Sequence, residues 1–415
     1  MDRFRQPLPS ALMLALLLPA AAAASTVVDI RVSGNERTET PTIFREMQTC
    51  VGDTYDAAVV RADRDRIDNL DLFSEVTIDT LHARGGVVLD VRVKERLVWI
   101  PTEWIPYPVL EWDPEVGWSY GAGVTNPNQS GRNRRVSALL QGGGERRASL
   151  GVSDPWVFGN HVSISLDVSY RAYDDYEALS NRWISGGVSV GSWIGLTGRV
   201  SLSATAAEIE TDAWRTASGN RTDRLRTVSL LLARDTRDLY LDPRSGGLAR
   251  LQVTGHGKVL GGTVDYVSWQ ADLTRYGSIR PGHTLALRGA VVYRDAPVPD
   301  YRGLRLGGFS TVRGLDPGGG KGRNRVLGSI EYRWAVKERE SYDVWFIRNV
   351  DLGLMLAVFA DAGTVWDERR GPHPEDVFGS AGAGLRILSQ QIFRLEAAVS
   401  RRDGVRWIAA TGMPF

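Results

Sequence analysis

Alternating apolar and polar residues fill most of the chain from residue 97 to residue 415. Between residues 161 and 170, apolar side chains occupy every second position, and the residues between them are serine or aspartate. Residues 284–293 and 393–399 repeat this alternation. Because successive side chains of a β-strand point to opposite faces, each segment predicts a strand with one apolar and one polar face. About sixteen such segments, each near ten residues long, predict an antiparallel barrel whose apolar outer surface spans a membrane.

The connections between these predicted strands fall into two length classes. The short connections are residues 126–131, 154–159 and 194–198. The long connections are residues 171–181, 208–224 and 295–324. Short turns at one end and long loops at the other are typical of outer-membrane barrels. A soluble β-sandwich is the alternative, and this asymmetry counts against it.

The predicted final strand begins near Arg406 and ends at Phe415. Gly412 and Pro414 interrupt it, and proline cannot donate a hydrogen bond to a neighbouring strand. Pairing between the first and last strands of the barrel is therefore predicted to be weak.

Residues 1–24 predict a secretory signal peptide. Arg3 and Arg5 precede an apolar run that ends at Ala22-Ala23-Ala24, which fits an A-x-A cleavage site. The run is shorter than the ~20 apolar residues that a spanning helix requires. We therefore expect export, with any membrane insertion made by the barrel.

Residues 25–96 predict a small α+β module. Strands are expected at residues 27–32, 72–78 and 87–93, with one helix opening at Thr40-Pro41 and another over residues 57–70. Ile43, Phe44 and Met47 are expected on one face of the first helix. A three-stranded sheet of this size leaves an exposed edge, which can accept an extended chain through main-chain hydrogen bonds.

A glycine-rich loop at residues 306–322 lies between two predicted strands and carries Arg313 between Val312 and Gly314. Alternation along the following strands directs the side chains of Glu331 and Asp361 into the lumen. Two neighbouring carboxylates repel each other unless a cation lies between them, and a guanidinium group matches carboxylates well. We therefore expect the loop, residues 295–324, to fold into the lumen and Arg313 to pair with both carboxylates. The alternative places Arg313 in solvent on an outer loop.

Composition narrows the possible functions. The formal net charge is +1, which gives no basic field for a nucleic-acid partner, and Cys50 is the single cysteine, which excludes an internal disulfide. The five histidines are scattered, and Gly318-Gly319-Gly320-Lys321-Gly322 lacks the context of a phosphate-binding loop. These features predict that the protein is not an enzyme and uses no cofactor and no metal.

Several ordered motifs together resemble the BamA-like, bacterial surface antigen superfamily of outer-membrane barrels. The module at residues 25–96 resembles a POTRA domain, and the Val312-Arg313-Gly314 segment resembles the arginine loop of that family between strands eleven and twelve. Three further motifs resemble its strand four, twelve and thirteen patterns: residues 153–156, 328–333 and 359–366. Leu315 departs from the usual aromatic residue, and a single POTRA domain departs from the usual several.

This resemblance implies an α+β POTRA domain in the periplasm followed by an all-β barrel in the outer membrane. It implies that the POTRA domain receives unfolded outer-membrane or secreted polypeptides, with periplasmic or lipoprotein partners, and that the seam between first and last strands opens. The strand ending at Phe415 resembles the targeting signal of outer-membrane barrels. A channel or structural surface protein that handles no client stays open as an alternative, as does a secretion pore for one partner.

Overall fold

The computed structural model describes residues 25–96, 103–113, 117–159, 161–174, 180–344, 347–367, 371–389 and 392–415. The predicted signal peptide, residues 1–24, lies outside the described residues. Across the described ranges, every helix is too short or too polar to cross a membrane.

An α+β module comes first, in the predicted order of strand, helix, helix, strand and strand. Its elements are β1 (Thr26–Ser33), α1 (Thr40–Phe44), α2 (Ala57–Asp68), β2 (Phe73–Ala83) and β3 (Gly86–Glu95). The central strand β3 is parallel to β1 and antiparallel to β2. Asp56 begins α2 by accepting hydrogen bonds from the backbone N–H groups of Ala58 at 2.7 Å and Val59 at 3.4 Å. These bonds satisfy donors that a helix N-terminus leaves without partners.

The core of this module lies between the sheet and the helices, where Ile43, Ile67 and Phe73 are fully buried. The prediction that Phe44 shares the face of Ile43 is wrong, because the Phe44 side chain is 41% exposed. Ile43 of this five-residue helix faces the core, and Phe44, about 100° further round the helix, points away from it. Met47 packs against the core from beyond the end of the helix.

The rest of the chain confirms the predicted barrel architecture, with 16 strands in one antiparallel sheet over the described residues. The strands are β4 (Ile105–Asp113), β5 (Gly117–Gln129), β6 (Arg134–Gly143), β7 (Glu145–Asp154), β8 (Val162–Asp174), β9 (Ser180–Ile194), β10 (Gly198–Glu210), β11 (Thr222–Asp235), β12 (Gly246–His256), β13 (Tyr266–Arg280), β14 (His283–Arg294), β17 (Asn324–Val344), β18 (Ile347–Trp366), β19 (Phe378–Leu388), β20 (Phe393–Ser400) and β21 (Gly404–Thr411). Two short strands, β15 (Leu304–Leu306) and β16 (Gly320–Gly322), pair within the connection from β14 to β17. Single-turn 3-10 helices lie at Ala213–Arg215, Lys258–Leu260, Asp300–Arg302 and Pro374–Asp376.

Alternation along the strands separates an apolar outer surface from a polar lumen. On β10, Leu202 points outward and is 56% exposed, whereas Ser201 is buried. The hydroxyl group of Ser201 lies 3.0 Å from that of Ser189 on β9, inside the barrel. Apolar side chains on the outer surface and hydroxyl pairs in the lumen are the arrangement typical of a β-barrel in a lipid bilayer.

The sheet has two end strands, β4 and β21, and the described residues contain no hydrogen-bonded ladder between them. The strand β4 pairs with β5, and β21 pairs with β20. We call the junction between β4 and β21 the seam. A closed barrel satisfies its backbone groups through neighbouring strands, so the seam is the weakest line in this wall.

The connections differ in part from the predicted layout, in which one end of the barrel has only short turns. The ladder between β8 and β9 continues to Asp174 and Ser180, so this connection is shorter than the predicted 171–181. The connection between β11 and β12, residues 236–245, lies on the side of the N-terminal module and is long. There Asn69 of the module donates to the Asp238 carbonyl at 2.9 Å and accepts from the Tyr240 backbone at 2.8 Å.

Two neighbouring strands extend beyond the rest of the sheet. The ladder between β14 and β17 ends at Trp334, and β19 pairs with β18 from Gly353 onward. Between these limits β17 and β18 pair only with each other, as far as Val344 and Ile347. We call residues 335–344 and 347–352 the projecting hairpin, which reaches the N-terminal module.

Candidate functional site

The long connection between β14 and β17 folds into the lumen of the barrel. Leu306, Val312 and Leu315 are buried there and pack against Leu327 on β17. Gly307 has a φ of +108°, and a Cβ at this position would lie 1.9 Å from the carbonyl oxygen of Asp316. Only glycine fits this turn, so Gly307 permits the compact fold of the loop. We call residues 306–322 the lumen loop.

Arg313 lies at the inner end of this loop, 1% exposed. Its Nε and Nη2 donate to the two carboxylate oxygens of Asp361 at 2.7 and 2.9 Å, and its Nη1 donates to Glu331 at 2.8 Å. Its guanidinium carbon lies 3.4 Å from the centre of the Phe359 ring. The structure thus brings Arg313, Glu331 and Asp361 together, with the planar fork of the guanidinium group spanning two strands.

The contacts continue into a larger charge network that the sequence reasoning missed. Arg386 on β19 donates to Glu331 at 2.6 Å and to Glu396 at 2.7 Å. Glu396 on β20 also accepts from Arg394 at 3.1 Å. The charge network consists of side chains that are each at most 3% exposed: Arg313, Arg333, Arg386, Arg394, Glu331, Asp361 and Glu396. The alternation that placed Glu331 inside would also have placed Arg386 and Glu396 inside.

This network determines geometry more than it adds stability. Removing charges from water is expensive, and a buried ion pair often gains little over a well-packed apolar replacement. Removing one member is different, because it leaves its partners charged, buried and unpaired, at a cost of roughly 3–5 kcal/mol. The network therefore holds the lumen loop against β17, β18, β19 and β20 in one arrangement.

Gly314 lets the loop approach the wall closely. A Cβ at this position would lie 2.6 Å from the Cβ of Ser380 on β19 and 3.1 Å from the carbonyl carbon of Val399 on β20. Because the second neighbour is backbone, the loop cannot keep this position with a larger residue. Val312 and Gly314, both singled out in the sequence, thus place Arg313 by packing on one side and by the absence of a side chain on the other.

The residues after Leu315 connect the lumen loop to the last two strands. The backbone N–H of Asp316 donates to Asp403 at 2.9 Å, in the turn between β20 and β21. The carboxylate of Asp316 pairs with Arg406 on β21, and Arg402 donates to the carbonyl of Gly319. The loop therefore contacts every strand from β17 to β21.

The predicted final strand is too long, because β21 ends at Thr411. Gly412 has a φ of +78° and turns the chain, and its N–H donates to the carbonyl of Ile392 at 2.7 Å. Arg288 on β14 donates to the Pro414 carbonyl at 3.3 Å, and the ring of Phe415 lies 5.6 Å from the Arg333 guanidinium carbon. Residues 412–415 thus turn into the lumen, so Phe415 does not complete the outer wall.

The N-terminal module contacts the barrel at several places besides the connection between β11 and β12. On one side, Asp351 of the projecting hairpin accepts from Arg96 at 3.1 Å, and Arg339 donates to Asp68 on α2 at 2.8 Å. On the other side, Thr42 donates to the carbonyl of Gly131, between β5 and β6, at 2.8 Å.

Between these two contacts, Arg45 of the module lies over the ring of Trp156, 4.7 Å from its centre. Burial lowers the pKa of Arg45 and raises the pKa of the neighbouring Glu46 carboxyl, while each charge partly offsets the effect on the other. A cation held over an aromatic ring adds to the docking energy most where water is excluded.

Comparisons with known proteins match both parts of the chain. A family model described as the Omp85 superfamily domain matches residues 128–401. A POTRA model, described as the surface antigen variable number repeat, matches residues 25–96.

Similar proteins include two outer membrane protein assembly factors BamA. The factor from Nitratidesulfovibrio vulgaris is 23% identical over 81% of this chain and 44% of its own length. That from Neisseria meningitidis is 23% identical over 93% of this chain and 53% of its own length. The chain thus spans about half the length of these relatives.

Solved structures share the fold at lower identity. BamA from Haemophilus ducreyi lacking POTRA domains 1-3 has a TM-score of 0.58 at 16% identity, covering 94% of this chain and 84% of that one. CdiB from Escherichia coli has a TM-score of 0.60 at 13% identity, covering 92% of this chain and 75% of that one.

Replacing Arg313 with alanine should lower the free energy of unfolding by about 3–5 kcal/mol, because Asp361 loses its paired cation in a dry site and Glu331 loses one of three. Denaturant unfolding of the refolded barrel, followed by tryptophan fluorescence, measures this change. Limited proteolysis should also cut within residues 306–322 of the variant.

Arg401 is a matched control for this experiment. It is an exposed arginine directly after β20, one of the strands that Arg313 contacts. Arg401→Ala should unfold within about 0.5 kcal/mol of the wild type, as expected of surface substitutions. An Arg313→Ala barrel as stable as Arg401→Ala would contradict the anchoring role.

Gly314→Ala should destabilise the barrel by about 1–3 kcal/mol, because its new methyl group overlaps the Cβ of Ser380. Ser380→Gly removes that Cβ, so the double variant should recover part of the loss in a double-mutant cycle. Strictly additive effects would show that Gly314 is not in contact with Ser380.

Asp351→Asn should loosen the docking of the N-terminal module, because Arg96 and Arg339 lose their shared carboxylate at a site where Asp351 is 1% exposed. Protease cleavage near residue 96 should become faster while the barrel stays intact. Glu340→Gln, an exposed change on the same hairpin, is the control and should leave cleavage unchanged.

Proposed function

Because the chain belongs to the Omp85 superfamily, we propose that its barrel inserts or exports unfolded polypeptide at the outer membrane. This membership confirms the resemblance seen in the sequence motifs. The barrel lies in the outer membrane and the POTRA domain lies in the periplasm. The relatives that suggest the activity are assembly factors about twice as long as this chain, so the client and the reaction are proposals for this protein.

The POTRA domain is proposed to receive the client at an edge of its sheet. Over the described residues, β2 forms a ladder with β3 alone. The other edge, β1, is covered at Val27, whose N–H donates to the carbonyl of Asp53 at 2.8 Å, but residues 29–33 form a ladder with β3 alone. Main-chain groups at such edges can bind an extended chain of almost any sequence.

Charged side chains lie on both edge strands of the POTRA sheet. Arg31 on β1 and Asp79 on β2 are about half exposed or more, and charges on edge strands suppress permanent pairing between copies of a protein. An edge of this kind fits transient contact with a client rather than stable association.

The seam is proposed as the exit for the client. The strands β4 and β21 have nine and eight residues and no ladder between them in the described part of the chain. An arriving strand would therefore displace few backbone hydrogen bonds when it pairs with either end strand. The unpaired seam beside a docked POTRA domain is the observation that carries this proposal.

The charge network is proposed to keep the neighbouring wall rigid while the seam moves. Arg313 on the lumen loop forms buried ion pairs with Glu331 on β17, Asp361 on β18 and Glu396 on β20. Breaking these pairs costs several kcal/mol, whereas separating two strands without a ladder breaks no backbone bonds. Motion is therefore expected at the seam and not within this wall.

Photo-crosslinking in cells tests the proposal directly. A photoreactive residue is placed at Asp79 on the POTRA edge, at Leu110 on β4 and at Trp407 on β21, all exposed positions. Captured molecules are identified by mass spectrometry. Unfolded outer-membrane or secreted polypeptides are expected at the POTRA edge and at the seam.

Leu202 on β10 is the matched control, since it is similarly exposed to lipid but lies far from the seam in strand order. It should capture lipid and no client. Capture of lipid alone at every position would contradict the proposal and favour the channel or structural alternative.

A further inference from the structure

The last strand has little support from the sheet itself. The strand β21 forms a ladder with β20 from Phe393 to Ser400 and lies open on its other side in the described residues. End strands with one neighbour open more readily than strands inside a sheet. Contacts from outside the sheet therefore decide how firmly β21 is held.

The lumen loop supplies such contacts at the end of β21 farther from the POTRA domain. Arg406 faces the lumen, and its guanidinium group pairs with the carboxylate of Asp316. The backbone N–H of Asp316 donates to Asp403 at 2.9 Å, so one loop residue bonds both to β21 and to the turn before it.

These contacts differ in kind from the buried anchor of the same loop. Arg313 and its partners Glu331 and Asp361 have side chains at most 1% exposed. The side chains of Asp316 and Arg406 are 56% and 29% exposed. An ion pair in contact with water is weak, and buried pairs are costly to break. The loop is therefore fixed to β17 and β18 and only reversibly attached to β21.

We propose that Asp316 and Arg406 form a latch that fastens β21 to the lumen loop and sets how readily the seam opens. The position of this latch rests on the structure, whereas its use in handling a client rests on the proposed function. Because Asp316 follows Arg313 by three residues, the anchored wall holds the latch in place without restraining β4. Asp316 and Arg406 act by holding β21 in place, so they are positioning residues.

The test measures the opening of the seam directly. Amide hydrogen exchange over residues 404–411 is followed by mass spectrometry in the refolded full chain. Arg406→Gln and Asp316→Ala should each raise the exchange rate of β21 about threefold to fivefold, the effect of one exposed ion pair. The reversed pair, Asp316→Arg with Arg406→Asp, should restore most of the protection.

A second measurement distinguishes opening of the seam from a general loss of folding. Spin labels at Leu110 and Trp407, two outward-facing and exposed positions, report the distance across the seam in a Cys50→Ser background. The distance distribution should broaden in Arg406→Gln and narrow again in the reversed pair. Exchange in β10 should stay unchanged in all variants.

Arg401→Gln is the matched control, because Arg401 lies in the same turn and is exposed. It should leave both exchange and distance unchanged. Unchanged exchange in Arg406→Gln, equal effects in Arg401→Gln or no recovery in the reversed pair would each overturn the latch. Client capture at the seam that persists in a variant with unaltered exchange would reject the latch and leave the proposed function intact. Faster exchange in Arg406→Gln without client capture at the seam would support the latch and contradict the proposed function.

Discussion

One buried guanidinium group fixes the interior of the barrel. Arg313 joins Asp361 and Glu331 from two adjacent strands, and Glu331 is shared with Arg386 on the next strand. Each of these charges is nearly inaccessible to water, so none can lose its partners without a large penalty. The loop is thereby a structural part of the wall, although it has almost no regular secondary structure. The packing of Val312 and Leu315 and the narrow space around Gly314 together hold Arg313 in this position.

The strands that hold Arg313 also hold the POTRA domain. Glu331 and Arg339 belong to β17, and Asp361 and Asp351 belong to β18. One end of this strand pair therefore binds the lumen loop, and the other end binds Arg96 and Asp68 of the POTRA domain. The same two strands therefore connect the contacts of the POTRA domain with the anchor of the lumen loop.

The strength of the contacts is unevenly distributed around the barrel. Buried ion pairs secure β17 to β20, whereas β21 depends on eight ladder pairs and on exposed charges. Exposed pairs contribute at most about 1 kcal/mol each. This difference fixes the strands from β17 to β20. Small changes in the exposed contacts of β21 are enough to affect the seam. The proposed handling of polypeptide requires both properties, since the seam must open while the rest of the fold stays intact.

Local pattern in the sequence determined the strands, their inward and outward faces, the α+β module and the meeting of Arg313 with two carboxylates. These follow from an alternation of period two, from helix-start signals and helical spacing, or from opposite charges on consecutive elements, all of which can be seen along the sequence. Tertiary structure alone decided the rest. Packing against the sheet buries Ile43 and leaves its neighbour Phe44 outside the core, and residues 412–415 turn into the lumen because Arg288 and Ile392 bind them there. The roles of Arg386, Glu396 and Arg406 depend on how strands far apart in sequence curve around one loop, and no local pattern contains that curvature.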